Sequence, residues 1–505
     1  MFQKIKKQQG STMIYLIIFI AIFALVMPAV VANFVAKIQL LRTTITREQS
    51  LQIAEAGINY YQWHLIQFPE DYKDGTELAG PYVHDYVDYD TQQTIGQFSL
   101  VITAPSPGET AVTITSTGWT NETPNIKRTV TATYGIPSLA SYALLAHDWI
   151  YTWSTESYSG PVHSDTGIRF EGTAESSVTS SVESTYLADC EQQHPENSNC
   201  TTQVSKDAIW ALGANKTQSS PYWNNPTTKA DFTGISTAFS VINENSNLPA
   251  NINLPSSAPG YSLVFNSNGT VTVYKVISTT NTGAKFPVTT ALSNGSNTAL
   301  RVLPGGTDYN SGICASNCNR CHSGRCLLYT KTIPGDGLVI YAANNLWVEG
   351  TVKGRVVIAT ANGSSDIMSM ANIYISNNLR YSDEALSDNE RADVIGLLAE
   401  GNIIVTKNAP DPLYVDGALL AQNGFVAFPI CYNGGATNDN VYFFGSIILH
   451  GSWWFNFTNY CGGSFTDGYL HPHFNWDKNL LYRPPPYFPA SSVSAELQLV
   501  KWSSD

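Results

Sequence analysis

The sequence predicts an α+β protein: a long amino-terminal helix followed by a mainly β head that includes a short parallel β-helix. Three observations predict it. An apolar run near the amino terminus continues as an amphipathic helical pattern, residues 97–134 alternate with period two, and short apolar strands recur at near-constant intervals after Gly337.

Residues 1–10, MFQKIKKQQG, are basic and end in glycine, and Met13 to Ala32 is almost purely apolar. Such a run, at about 1.5 Å per residue, makes roughly 30 Å, enough to cross a bilayer. Lys4, Lys6 and Lys7 place its amino terminus on the cytoplasmic side, as a single-pass segment with the head beyond the membrane. A secretory signal needs a shorter apolar core followed by a small-residue cleavage site. Here the pattern runs on: Phe34, Ile38, Leu41 and Ile45 recur at helical spacing, as do Leu51, Ala54, Ile58, Tyr61 and Leu65. From Ser11 to Gln67 this makes about 85 Å of helix, more than a membrane requires. The apolar stripe needs partners beyond the lipid, other subunits near it and its own head further on. A plain signal anchor with a helical stalk is the alternative.

The Lys-rich leader ending in Gly10, Ser11 opening the apolar run, and the segment Leu51-Gln52-Ile53-Ala54-Glu55-Ala56-Gly57-Ile58 resemble the PilX N-terminal family of type IV minor pilins. The resemblance covers roughly the first seventy residues, and the AEAG segment is its most specific part. It implies that a prepilin peptidase cuts between Gly10 and Ser11 and methylates the new terminus. It also implies that 11–68 is a pilin-type assembly helix inserted by inner-membrane pilus machinery among other pilin subunits. The fifth residue after the cut, glutamate in major pilins, is Tyr15. That carboxylate pairs with a neighbouring subunit's amino terminus in a low-dielectric core, where an unpaired charge is costly. Tyr15 cannot form the pair, so the resemblance points to a minor or tip-proximal subunit, of a type IV pilus or a type II secretion pseudopilus. Pro28 lacks an N–H and is expected to kink or loosen the helix.

The head divides into 69–136, a small antiparallel β domain; 137–336, an irregular β-rich region with a Cys-rich loop; 337–455, β-helix-like; and 456–505, a carboxy-terminal extension. In the first, the runs Phe98 to Thr103, Ala111 to Thr117 and Arg128 to Tyr134 alternate between Pro/Gly and Asn/Pro turns. Between 138 and 334 the pattern gives no topology, although Tyr261 to Phe265 and Thr270 to Ile277 read as strands. The stretch Gly160 to Ser164, leading to Gly167 to Phe170, resembles part of large PilX-like heads. After Gly337, strands begin near Leu338, Val356, Ile373, Val394 and Leu413, with Asn/Gly turns at Asn344, Asn345, Asn362, Asn377, Asn378, Asn402 and Asn423. Stacked coils of a solenoid produce such a period; an evenly spaced β-sandwich is the alternative.

The formal net charge is -13 and charged residues make only 13% of the chain. Outside the leader no Lys/Arg run occurs, so nucleic acid is not an expected partner. The eight cysteines all follow the apolar segment, as in an exported, disulfide-containing protein. Cys314, Cys318, Cys321 and Cys326 share one loop, with His322 after Cys321. Four sulfurs at this spacing suit tetrahedral zinc, Cys318 to His322 satisfies the C-x-x-C-H pattern of haem attachment, and disulfides are the third reading. Cys190 with Cys200 and Cys431 with Cys461 are the pairs proximity suggests. Asp383, Asp388 and Asp393, with Glu384 and Glu390, could hold Ca2+, or form a solvated acidic loop; Asp85, Asp88 and Asp90 form a smaller set.

A β-helix invites comparison with polysaccharide-cleaving enzymes, which need carboxylates or a base gathered on one face. Lys353, Asp366 and Asp416 fall in the region without forming a recognisable constellation. His450, His471 and His473 flank Trp453, Trp454 and Trp476, and aromatic surfaces of that kind stack on sugars or fill cores. The sequence has no G-x-S-x-G, Walker A or H-E-x-x-H arrangement, so the chain reads as a structural and interaction protein rather than an enzyme. Its head is expected to serve assembly, adhesion or contact with a surface or glycan ligand. A membrane-anchored β-helix that binds or cleaves carbohydrate is the second reading.

Overall fold

The computed structural model describes residues 11–105, 109–188, 203–257, 259–280, 285–292, 295–302, 308–309, 318, 320–322, 324–386, 391–429, 437–451, 453–458, 466–491 and 497–504. The chain forms a long amino-terminal helix and a large, mainly β head, organised as two compact units. The first comprises Met1–Ala104, Val112–Tyr134 and Leu499–Asp505, and the second Pro105–Ala111 and Gly135–Gln498.

In the first unit, helix α1 (Ser11–Gln67) is followed by β1 (Tyr82–Val87), β2 (Thr94–Thr103), β3 (Val112–Thr120) and β4 (Lys127–Gly135). These strands form an antiparallel meander, and the carboxy-terminal strand Gln498–Ser504 lies beside β4. The alternation in VTITSTGWT decides the faces: Val112, Ile114 and Ser116 are buried, while Thr113, Thr115 and Thr117 lie on the other side. There each threonine hydroxyl lies 3.1–3.3 Å from its cross-strand partner on β4, Thr133, Thr131 or Thr129, pairs worth about 0.2–1 kcal/mol each.

The second unit is a parallel β-solenoid. On one face, Ile252–Leu254, Leu338–Ala342, Arg355–Thr360, Val394–Ala399, Leu413–Ala421 and Thr437–Leu449 pair in parallel, each with the next. The ladder then continues into Leu144–Ala146, Val162–Ser164 and Val178–Ser180. Chain order and stacking order therefore differ. The chain enters the stack in its middle at Leu144, builds to one end, then returns to the other end and fills the stack back to Leu144.

The return runs through the helix Gly234–Ser246. It packs on Ile252–Leu254, Leu338–Ala342 and Arg355–Thr360, and its buried Ile235, Ala238, Phe239 and Ile242 join Leu139, Leu480 and Phe488 in one apolar cluster with Leu145, Val339, Val357, Ala359, Leu398, Leu420 and Ile448, the outward-facing residues of the ladder. With the interior filled by Leu144, Ile340, Ile358, Leu397, Leu419 and Ile447, these strands are buried on both faces. That accounts for unbroken apolar runs such as VIGLLA where alternation would otherwise stand.

A second face stacks Gly260–Asn266, Leu346–Val352, Ile373–Tyr381, Ile403–Val405 and Val426–Ala427. Ile373 is thus not in the column of Leu338 and Val356. Ile340, Ile358, Leu397, Leu419 and Ile447 hold equivalent places in successive coils, so coil length varies from 18 to 39 residues. The near-constant interval in the sequence comes from counting strands of two faces together.

Candidate functional site

Helix α1 divides into two physically different halves. From Thr12 to Arg42 every residue is exposed, including Tyr15 (69%), Phe34 (63%) and Leu41 (61%). It is the one helix among the described residues long and apolar enough to cross a membrane. Helical structure continues unbroken through Pro28, although that residue can give no hydrogen bond to Ala24. Asn33, Thr43 and Thr44 return side-chain hydrogen bonds to the carbonyls of Ala29, Gln39 and Leu40, four residues earlier, which keeps these polar groups satisfied on an apolar helix.

From Ser50 onward one face of α1 is sealed against β2 and β3. Ile53, Ala54, Ile58, Tyr61 and Leu65 are at most 2% exposed. Each fully buried large side chain here contributes about 1.5–3 kcal/mol. The spacing that marks these residues in the sequence is that of the buried stripe.

The approach is close because the contact points lack side chains. A Cβ on Gly57 would fall 2.3 Å from Ser116 Oγ, and one on Gly118 would fall 2.4 Å from both Ser50 O and Ala54 N. Ala54 and Gly57 of the AEAG segment therefore face the sheet, whereas Glu55 is half-exposed on the flank. Ser50 Oγ donates to Ile126 O at 3.0 Å.

The end of α1 is tied to the loop that follows. Tyr61 Oη donates to Asp71 O at 2.8 Å, His64 Nε2 lies 2.9 Å from Asp71 Oδ2, and His84 Nε2 lies 2.6 Å from Asp74 Oδ2. The Lys73 N–H, with help from His64 and the Gly75 N–H, holds the Asp71 carboxyl below its ordinary range against the opposing effect of burial. Burial pushes the Tyr61 hydroxyl up. The sequence reading passed over both His–Asp pairs, for which histidine and aspartate near the helix end are the available signal.

No protein-family model matches the chain, and no curated protein matches it. Among solved structures it is similar to the competence-associated pilin ComZ from Thermus thermophilus. The identity is 13% and the TM-score 0.31, over 91% of this chain and 97% of that one.

The other singled-out residues are dispersed. Gly10, Cys190, Cys200, Cys314, Cys431, Cys461 and Asp388 lie outside the described residues, and Ser11 begins α1. Cys318 and Cys326 form a disulfide, and Cys321 is disulfide-bonded as well. Cys321 stands opposite Cys326 in the hairpin formed by Cys321–His322 and Arg325–Thr332. Asp383 Oδ2 accepts from the N–H groups of Ala392 and Asp393, and Asp393 accepts from Gly354 N–H and Ser382 Oγ. These carboxylates tie their own loop together and join it to the turn at Gly354. Among the described residues no group of three or more His, Cys, Asp or Glu side chains is placed to hold a metal ion.

Lys353 and Asp366 occupy separate turns, while Asp416 is buried at 2% exposure with Tyr381 N–H donating to it. Burial raises the Asp416 carboxyl to about 7. Trp453 is packed among Tyr158, Phe455 and Phe474, and Trp476 Nε1 donates to Ala140 O. His473 stacks on Tyr442, and Tyr442 on Tyr414, a column along successive coils whose ring faces are turned to one another. His450 lies against His147, which with His163 brackets the buried Asp165.

Proposed function

We propose that the chain is a minor pilin-like subunit of a type IV filament. The observation that carries this reading is the division of α1 into an exposed apolar half and a half sealed to the antiparallel sheet of its own head. An apolar helix of that length without intramolecular cover needs lipid before assembly and other helices after it. A stalk held only by a membrane would require no apolar Phe34, Ile38, Leu41 and Ile45 beyond the spanning segment. Tyr15, unable to form the ion pair of a major subunit, supports a low-abundance position in the filament. The partners of this reading are other pilin subunits, a prepilin peptidase and the inner-membrane assembly machinery, with the head on the far side of the membrane.

Intact mass measurement of the chain purified from filaments tests it. The expected species begins at an N-methylated Ser11. Retention of Met1, or a terminus beyond residue 30, removes the proposal.

A further inference from the structure

One corner of the solenoid carries turns from three successive coils, at 334–337, 353–354 and 391–393, each leading into a strand of the first ladder. Parallel stacking sets such turns about 4.8 Å apart. Between them lies a solvent-open cleft of about 460 Å3, bordered also by Glu109 and Arg483 of the same unit. That size suits a small ligand.

The charges in the cleft are not all used internally. Glu109 Oε1 lies 3.2 Å from both Arg355 Nη1 and Arg483 Nε. Arg355 Nη2 donates to Pro484 O at 2.7 Å, while Arg355 Nε is buried with no hydrogen-bond partner. Asp393 is occupied by Gly354 and Ser382. Lys353 and Asp336 remain: both side chains are exposed, and among the described residues neither makes a hydrogen bond or ion pair. The cleft thus combines an unpaired ammonium beside an arginine with an unpaired carboxylate one coil away.

We propose that this cleft binds an acidic saccharide of the uronate type. The ligand carboxylate meets the Lys353 ammonium, and neighbouring hydroxyls donate to Asp336. Charge selects this class. Asp336 and Glu109 repel a bare inorganic anion, whereas a sugar acid carries hydroxyl donors beside its carboxylate. A neutral sugar leaves the Lys353 ammonium without its counter-ion. The site lies wholly in the solenoid unit and does not depend on the filament reading.

Calorimetric titration of the full chain in detergent tests the proposal with digalacturonate, neutral galactobiose and inorganic phosphate as probes. Digalacturonate is expected to bind at least about tenfold more tightly than either other probe, a difference of about 1.4 kcal/mol. Lys353→Met and Asp336→Asn are each expected to weaken it about tenfold without moving the thermal midpoint, and Lys353→Arg to retain it. Equal binding of galactobiose or phosphate, no binding of digalacturonate, or binding unchanged in both Lys353→Met and Asp336→Asn overturns the proposal. Because Lys353 and Asp336 are exposed, folding of both variants is expected; if one fails to fold, the other decides.

Discussion

Asn372 Oδ1 accepts two hydrogen bonds from Asn402 in the adjacent coil, one from its backbone N–H at 2.8 Å and one from its side-chain amide at 2.9 Å. The relation repeats. Asn345 Oδ1 accepts from Asn372 N–H, and Asn402 Oδ1 accepts from Phe425 N–H. At each coil this corner turns a buried amide toward its neighbour, and an asparagine carbonyl supplies the acceptor that a strand would otherwise give.

Asn402→Ala removes the acceptor for the buried Phe425 N–H and one of the two donors to Asn372 Oδ1, whose bond from the backbone N–H of residue 402 is kept. A cost of about 1–3 kcal/mol follows for each buried group left without a partner. Asn423→Ala, at an exposed position whose side chain donates to Glu400 O, is expected to cost less than about 0.5 kcal/mol. Thermal midpoints of the two variants check the difference, and equal shifts would refute the ladder's role.

At the helix–sheet contact, Gly118→Ala and Gly57→Ala are not equivalent. The new Cβ at 118 meets backbone atoms of Ser50 and Ala54, which cannot move without displacing α1, whereas at 57 it meets the side chains of Ser116 and Phe98. Gly118→Ala is expected to destabilise the first unit by about 1–3 kcal/mol and Gly57→Ala by less. Proteolysis rates at the end of α1 in detergent measure both.

Asp416 imposes a pH dependence. Its folded pKa of about 7 lies above the model-peptide value of 3.8, so the folded chain holds a proton that the unfolded chain has released. Its contribution to stability is therefore fully present below 3.8 and is lost as pH rises toward 7, at up to about 1.4 kcal/mol per pH unit. Asp416→Asn keeps an acceptor for Tyr381 N–H and carries no titrating proton. Denaturant midpoints between pH 4 and 8 are expected to fall less steeply in this variant, which should be the more stable protein at pH 8.

The Cys318–Cys326 disulfide closes a short loop at the edge of a hairpin. Reduction is expected to lower the thermal midpoint, since a loop of this length contributes about 2–3 kcal/mol. Exhaustive EDTA treatment is expected to leave it unchanged. The opposite pattern would favour zinc at this loop, and haem absorbance in freshly isolated protein would favour the C-x-x-C-H reading.

How much of this is legible in the sequence depends on how local the signal is. α1 is legible because its period is local: the stripe from Leu51 to Leu65 is the stripe that β2 and β3 cover. The strands after Gly337 are legible as strands, but their coil assignment is not, because nothing near Ile373 announces that its partner is Leu346 rather than Val356. Residues 144–180 give no topology for a stronger reason. Each strand there is at most three residues long, and Leu144 finds its neighbour at Ile447. The helix Gly234–Ser246 does carry an amphipathic pattern, yet the strands it packs on, Ile252–Leu254, Leu338–Ala342 and Arg355–Thr360, belong to separate coils. The cleft at Lys353 escapes motif reading because its charges come from three turns, and only stacking brings them together.

The pairing of Leu144–Ala146 with Ile447–Leu449 fixes an order of events for a chain delivered amino terminus first. Coils made early stand with one bare, apolar edge until Ile447–Leu449 have joined them. Contacts of such sequence separation close slowly, and unpaired strand edges invite association with other chains. The solenoid is therefore sealed only by the last part of the polypeptide to arrive. A chain cut short before Thr437 would leave the Leu144–Ala146 edge bare, a signature by which a protease or chaperone could tell finished heads from unfinished ones.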